Sequence, residues 1–229
     1  MNKIIINKEE NLELKNNAIN IEINSSHLTL NISGKVLINE FNKKELDNTS
    51  ITINLAKNSE LLYNRFLNIN NMDTNITINQ DSNSSLEFNY SIIAHDKGKL
   101  TMKSNVLGDN NKTSIKIKAL TKDLGALVLK CTTDNKDNTN NNELLESLKI
   151  LMLNEEESII IPDLLVASNE VEVNHAATIS GIKEDELFYL NSKGISTEDA
   201  KKLISEGFII NNLNISSKQR KELEGIINE

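Results

Sequence analysis

Apolar and polar residues alternate in short runs along the chain from Met1 to about residue 180. Ile19-Ile21-Ile23, Leu28-Leu30-Ile32, Ile51-Ile53-Leu55, Ile76-Ile78, Leu86-Phe88-Tyr90-Ile92, Ile115-Ile117 and Leu127-Leu129-Cys131 each put apolar side chains at every second position. A period of two belongs to a strand with one buried face. The runs recur every 8–15 residues, separated by polar clusters such as Asn70–Asn71, Asp81–Ser85 and Gly108–Asn111. This spacing predicts an all-β protein, and a sandwich, a barrel and a β-solenoid all satisfy it. Gly and Pro are few, and only Ser33-Gly34 comes close to a two-residue hairpin turn. That favours a right-handed parallel β-helix, with short strands stacked in coils of roughly 20–30 residues.

The period changes at Gly181. KEDELFYLNSKG places acids in a first helical turn, Leu187, Phe188, Tyr189 and Leu190 in the middle, and Gly194 as a stop. Ser196, with Asp199 as a capping-box-like partner, opens a second helix that Gly207 is expected to close. Ser216 and Gln219 stand in the same register before Leu223, Ile226 and Ile227, which predicts a third. The predicted organisation is a β-helix core over 1–182 and a small C-terminal α-helical subdomain over 183–229. Asp134 to Asn142 (DNKDNTNNN) reads as a floppy surface loop.

Composition narrows the function. A net charge of −8 without a local Lys/Arg cluster argues against a nucleic-acid partner. No apolar run is long enough to span a bilayer and no charged-then-apolar leader follows Met1, so no membrane association is expected. The single cysteine, Cys131, precludes an internal disulfide or a metal site of several thiolates in one chain, and fits a reducing cytoplasm. Asn suits the corners of stacked coils. No phosphate loop, GxSxG or HExxH run occurs, and acid pairs such as Asp109 or Asp123 with distant partners lack the aromatic platforms of a sugar site. The expected protein is not an enzyme and binds no nucleotide itself. His27 and His95 read as surface histidines.

Four pieces of sequence carry a resemblance: Ile161–Pro162–Asp163–Leu164, His175–Ala176–Ala177–Thr178, Asp185 to Leu190 (DELFYL), and Ser192–Lys193–Gly194–Ile195. The run VEVNHAATISGIKEDELFYLNSKGIS resembles the C-terminal signature of the SufB/SufD family of the Suf iron–sulfur cluster assembly system. About fifty residues match closely and the preceding hundred match in style, with no counterpart expected for the family's longer N-terminal portion. The resemblance implies a β-helix that pairs with a SufB-like partner or with a second copy of itself, with a transient iron–sulfur cluster at the dimer interface. It implies His175 as a cluster ligand; on spacing alone, His175 shares parity with Val171 and Val173 and reads equally as a core-facing or interface histidine with satisfied hydrogen bonds. The scaffold branch, SufB, reads Glu-His-Glu-Ala where this chain has Asn174, His175, Ala176 and Ala177, and carries a cysteine where counting back from Pro162 reaches Ser147. These departures point to a short SufD-like member. Cys131 is a second candidate ligand, although its parity with Leu127 and Leu129 reads most simply as a small buried apolar residue.

The resemblance also assigns the helices a partner, the ABC-type ATPase SufC. Leu187, Phe188, Tyr189 and Leu190 surround one helical turn with more apolar surface than one packing face needs. Either all four close the end of the β-helix, or part of the patch, with Ile204 and Phe208, docks the ATPase. The expected function is a non-catalytic component of a Suf-type assembly complex. The alternative is a β-solenoid surface or interaction module with no metal role.

Overall fold

A computed structural model describes residues 2–168 and 170–228. It is mainly β, with 59% strand, a parallel β-solenoid of about six turns and three C-terminal helices. The strands are β1 (Asn2–Ile6), β2 (Glu10–Lys15), β3 (Ala18–Ile23), β4 (His27–Ser33), β5 (Lys35–Asp47), β6 (Ser50–Leu55), β7 (Glu60–Gln80), β8 (Ser85–Ala94), β9 (Lys97–Val106), β10 (Lys112–Thr121), β11 (Ala126–Asn135), β12 (Asn142–Met152), β13 (Ile159–Val166) and β14 (Val171–Gly181). One parallel face runs β1-β3-β5-β7-β8-β10-β12-β14. The other runs β2-β4-β6-β7-β9-β11-β13; β7 serves both, its first half pairing β5 and β8 and its second half β6 and β9.

Because the strands are parallel and in register, each position belongs to a column through the stack. The inward columns explain the alternation: Leu28, Ile51, Ile76, Met102 and Cys131 form one, and Ile19, Ile38, Tyr63, Phe88 and Ile115 another, all buried. Burying each such side chain is worth about 1.5–3 kcal/mol. The outward columns explain much of the asparagine. Asn31, Asn54, Asn79 and Asn105 stack side chain to side chain, each amide donating to the carbonyl oxygen of the Asn one coil earlier at 2.8–2.9 Å. A second ladder runs Asn39, Asn64, Asn89 on the other face. Asparagine also turns corners, with Asn16, Asn58, Asn83, Asn110, Asn138 and Asn141 all at positive φ, a conformation this side chain tolerates better than most.

The segment expected to be a floppy loop is instead an ordered corner. Strands β11 and β12 claim both its ends, Thr139 and Asn142 are buried, and the Asn142 amide donates to Asn135 Oδ1 at 2.8 Å and to the Gly108 carbonyl. Repeated Asn here satisfies backbone groups of stacked corners rather than marking disorder.

The helices are α1 (Glu184–Ser192), α2 (Thr197–Ile210) and α3 (Ser217–Asn228). Both capping boxes form: Ser196 Oγ accepts from the Asp199 backbone N–H, and the Ser216 backbone N–H donates to Gln219 Oε1. Gly207 does not end α2, which runs on to Ile210, because Ile209 and Ile210 are buried against the sheet. Nor do α2 and α3 stopper the end of the solenoid. They lie along its flank, on an outward patch of Phe66, Ile93, Leu120 and Leu151 that joins Ile209, Ile210, Leu213 and Leu223 in a second apolar core. Polar pins fix them there: Ser91 Oγ donates to the Ile209 carbonyl at 2.9 Å, Asn212 donates to the Tyr90 carbonyl at 2.9 Å, and Asn64 exchanges two bonds with the Asn214 backbone. Among the described residues no helix is long and apolar enough to cross a membrane.

Candidate functional site

The last coil, β13 and β14, differs from those before it. β14 pairs with β12 and β13 with β11, and among the described residues neither has a strand on its other edge. Their inward positions have no following coil to cover them. Val171 and Val173 are only half-buried, Ile179 is exposed, and on outward or marginal positions Ile159, Ile161, Leu165 and Val166 are exposed too. The terminal coil is thus an open, apolar, hydrogen-bond-competent edge, which a protein ordinarily covers or blunts.

Ionisable side chains enter one interior column towards this end. Continuing the column of Ile19, Ile38, Tyr63, Phe88 and Ile115, the next position is Glu146 and the last is His175. Glu146 is 4% exposed and accepts a hydrogen bond from Thr133 Oγ1 at 3.0 Å, while its other carboxylate oxygen has no hydrogen-bond partner. Burial pushes the Glu146 carboxyl above its usual range, with partial relief from Cys131, Thr133 and His175. Cys131 is fully buried opposite, and burial followed by the negative charge of Glu146 holds its thiol well above the usual value. A buried neutral thiol is a poor ligand and a poor nucleophile. His175 is exposed on the terminal strand, beside Glu146 in register, and Ser147 pairs with the following Ala176 on the outer face. His175, Glu146 and Cys131 are therefore neighbours at one end of the rod, with only His175 open to a second molecule. Among the described residues no group of three or more His, Cys, Asp or Glu side chains could hold a metal ion.

The helical candidates divide between two surroundings. Phe188 and Tyr189 are 76% and 61% exposed, Leu187 and Leu190 half-buried, and α1 packs on α2 with no fully buried residue. Acids Glu184, Asp185 and Glu186 fill its first turn, and Gly194 at φ +84° reverses the chain after it. Ile204 and Phe208 turn the other way, half-buried against the cap–sheet core. The exposed part of the patch is thus Phe188 and Tyr189, with Leu203 of α2 51% exposed nearby in sequence.

Sequence reasoning missed two sets of residues that parity could have found. Glu146 shares its parity with Leu144, Leu148 and Ile150, so its slot is inward. The same holds for Glu40 after Val36 and Ile38, and for Arg65 after Leu61 and Tyr63. The structure closes these into a buried network: Arg65 donates to Glu40 at 2.8 Å and to Asp47 at 2.9 Å, Tyr63 donates to Glu40 at 2.7 Å, and Thr74 to Asp47 at 3.0 Å. It lies coils away from His175 and holds the interior of the rod. His95 is not a bare surface histidine either, since its two ring nitrogens meet Asp123 Oδ2 at 2.6 Å and Asn68 Oδ1 at 2.8 Å.

The comparisons with known proteins concern the same end of the chain. The family described as SUF system FeS cluster assembly, SufBD core domain, matches residues 67–208. A Pyrococcus horikoshii protein named as an iron–sulfur cluster assembly SufBD family protein is 50% identical over 48 residues, 21% of this chain and 11% of that one. A Staphylococcus aureus USA300 protein of the same description is 38% identical over 65 residues, 28% of this chain and 14% of the relative. The matched segments are a small part of those longer relatives. With the family match running from within β7 through β14 and α1 into α2, the terminal coil and its open edge included, the chain belongs to the SufBD core-domain family.

Proposed function

We propose that this chain is a non-catalytic component of an iron–sulfur cluster assembly complex. Through its terminal coil it pairs with a second β-helix of the same family, and through α1 it docks a SufC-type ABC ATPase. The observation that carries the reading is the open last coil: unpaired β13 and β14 edges, an uncovered apolar inner face, and His175 at its mouth. A facing strand would satisfy the edge amides and bury the exposed isoleucines and leucine, as strand addition does elsewhere.

The cluster in this reading is cargo, held at the junction of two subunits. His175 offers one imidazole nitrogen to iron, a borderline ligand suited to it. Cys131 does not fit, being buried and protonated, and Ser147 offers a hydroxyl where a thiolate would be needed. The remaining ligands would come from the facing subunit, as suits a SufD-like rather than a scaffold role. ATP is hydrolysed by the docked ATPase, whose dimerisation would strain the junction mechanically. A reducing cytoplasm is the compartment that suits a single free cysteine.

The test is co-purification with a SufC-type ATPase under anaerobic reconstitution. The wild-type chain should retain the ATPase, and F188A/Y189A should lose it without losing the fold. Iron–sulfur absorbance should appear with a SufB-like partner and fall with His175→Ala. Retention of the ATPase by F188A/Y189A would contradict the docking assignment, and absorbance unchanged by His175→Ala would remove the ligand.

A further inference from the structure

On the outer face of the rod, three lysines stand together without a counter-charge. Lys116 and Lys118 are two residues apart on β10, so both point outward, and Lys118 sits in register beside Lys149 of β12. Neighbouring parallel strands are about 4.8 Å apart and alternate residues of one strand about 6.6 Å, so the three ammonium groups can converge on one small group. Like charges directly across a ladder are unfavourable. Here they stay uncompensated, since among the described residues no carboxylate lies within ion-pair distance of Lys116, Lys118 or Lys149. That is unexpected in a chain of net charge −8. Lys118 is half-buried with its ammonium 4.9 Å from the centre of the Phe208 ring, which fixes it in place rather than leaving it to sweep through solvent. Burial first, then Lys149 and Lys116, hold its pKa below the usual lysine value.

The lysines line a cleft of about 470 Å³ between the sheet and the turn after α2, where Ser147 and Asn174 add polar side chains. Glu146 borders the cleft, but its carboxylate is turned inward to Thr133. We infer that this cleft is an anion-binding site for a compact phosphate-class ligand carrying two or more negative charges. Three lysines lining one cleft suit concentrated charge, and a concave site of this size suits a small molecule over a flat protein surface. His175 also lines the cleft, at the edge opposite the strand β10 of Lys116 and Lys118, but the inference does not rest on the assembly role proposed above, because the lysines need neither a cluster nor a partner subunit.

Inorganic pyrophosphate is the probe, titrated calorimetrically into the full chain in low-salt chloride buffer. One saturable site is expected, weakened at least tenfold by K118Q/K149Q and unaffected by Lys57→Gln, an exposed lysine far along the chain. Because binding releases the repulsion within the cluster, pyrophosphate should also raise the melting temperature of the wild type more than that of K118Q/K149Q. Three results would overturn it: no saturable binding, equal weakening by Lys57→Gln, or lysine-dependent binding of an acidic peptide alone.

Discussion

Glu146 takes a slot that Ile19, Ile38, Tyr63, Phe88 and Ile115 fill with apolar side chains in earlier coils. Its carboxyl is raised above the usual 4.5 by burial, so the folded chain holds a proton that the unfolded chain releases. Stability is therefore greatest below that usual value and falls as pH rises through the raised one, leaving a deficit at neutral pH. Glu146→Gln keeps an acceptor for Thr133 and removes the charge. It should raise the melting temperature at pH 7.5, by about 2–4 °C per kcal/mol recovered in a chain of this size, and do little at pH 4; thermal unfolding at both values checks this, and equal shifts would contradict it. Glu146 was legible as an acid at apolar parity, but nothing local in the sequence says which coil is the last. His175 shows the same limit: its parity marks it as inward, and only the end of the stack makes an inward residue exposed.

Among the elements, the buried Arg65 network joins β5 to β7. Removing Arg65 would strand the buried Glu40 and leave Asp47 only Lys44 as a cation, so Arg65→Met should cost about 3–5 kcal/mol in denaturant unfolding. Burial alone would raise the Asp47 carboxyl, but Arg65, Lys44, Thr49 and Thr74 outweigh it and hold the pKa at about 2. Its folded value lies below its unfolded one, so the stability it brings is present above about 3.8 and lost as pH falls towards 2; Asp47→Asn should flatten that acid limb. The Asn ladders make a different kind of joint. Asn64 accepts from Asn89 and the Asn214 backbone while donating to Asn39 and the Asn214 carbonyl, so Asn64→Ala should cost about 1–3 kcal/mol and loosen the helices together with the sheet. The helix caps were readable from Ser196–Asp199 and Ser216–Gln219. Where the helices would lie was written more faintly: Phe66-Leu67, Ile92-Ile93 and Ile150-Leu151 break strict alternation by adding an outward apolar residue, and those outward residues floor the helices. Phe208→Ala should therefore destabilise the cap, whereas F188A/Y189A should leave the melting temperature unchanged.

Taken whole, the molecule is a rod whose coils lengthen along most of the chain. Register neighbours are 17 residues apart between β1 and β3, 25 between β5 and β7, 31 between β10 and β12 and 29 between β12 and β14. The periodicity predicted stacked coils and the resemblance named the family, and both followed from residues close in sequence. The openness of the last coil did not, because it depends on what fails to follow β14 in space. The proposed pairing gives that edge a cover, and the exposed amides of β13 and β14 report on it directly. The decisive measurement is hydrogen exchange at those amides, with the chain alone at low concentration and then assembled with a SufB-like β-helix and the ATPase. Pairing through the terminal coil predicts fast exchange alone and strong protection along β13 and β14 on assembly, with the early ladder strands β4 and β6 unchanged. A complex that forms while those amides exchange as before would contradict it.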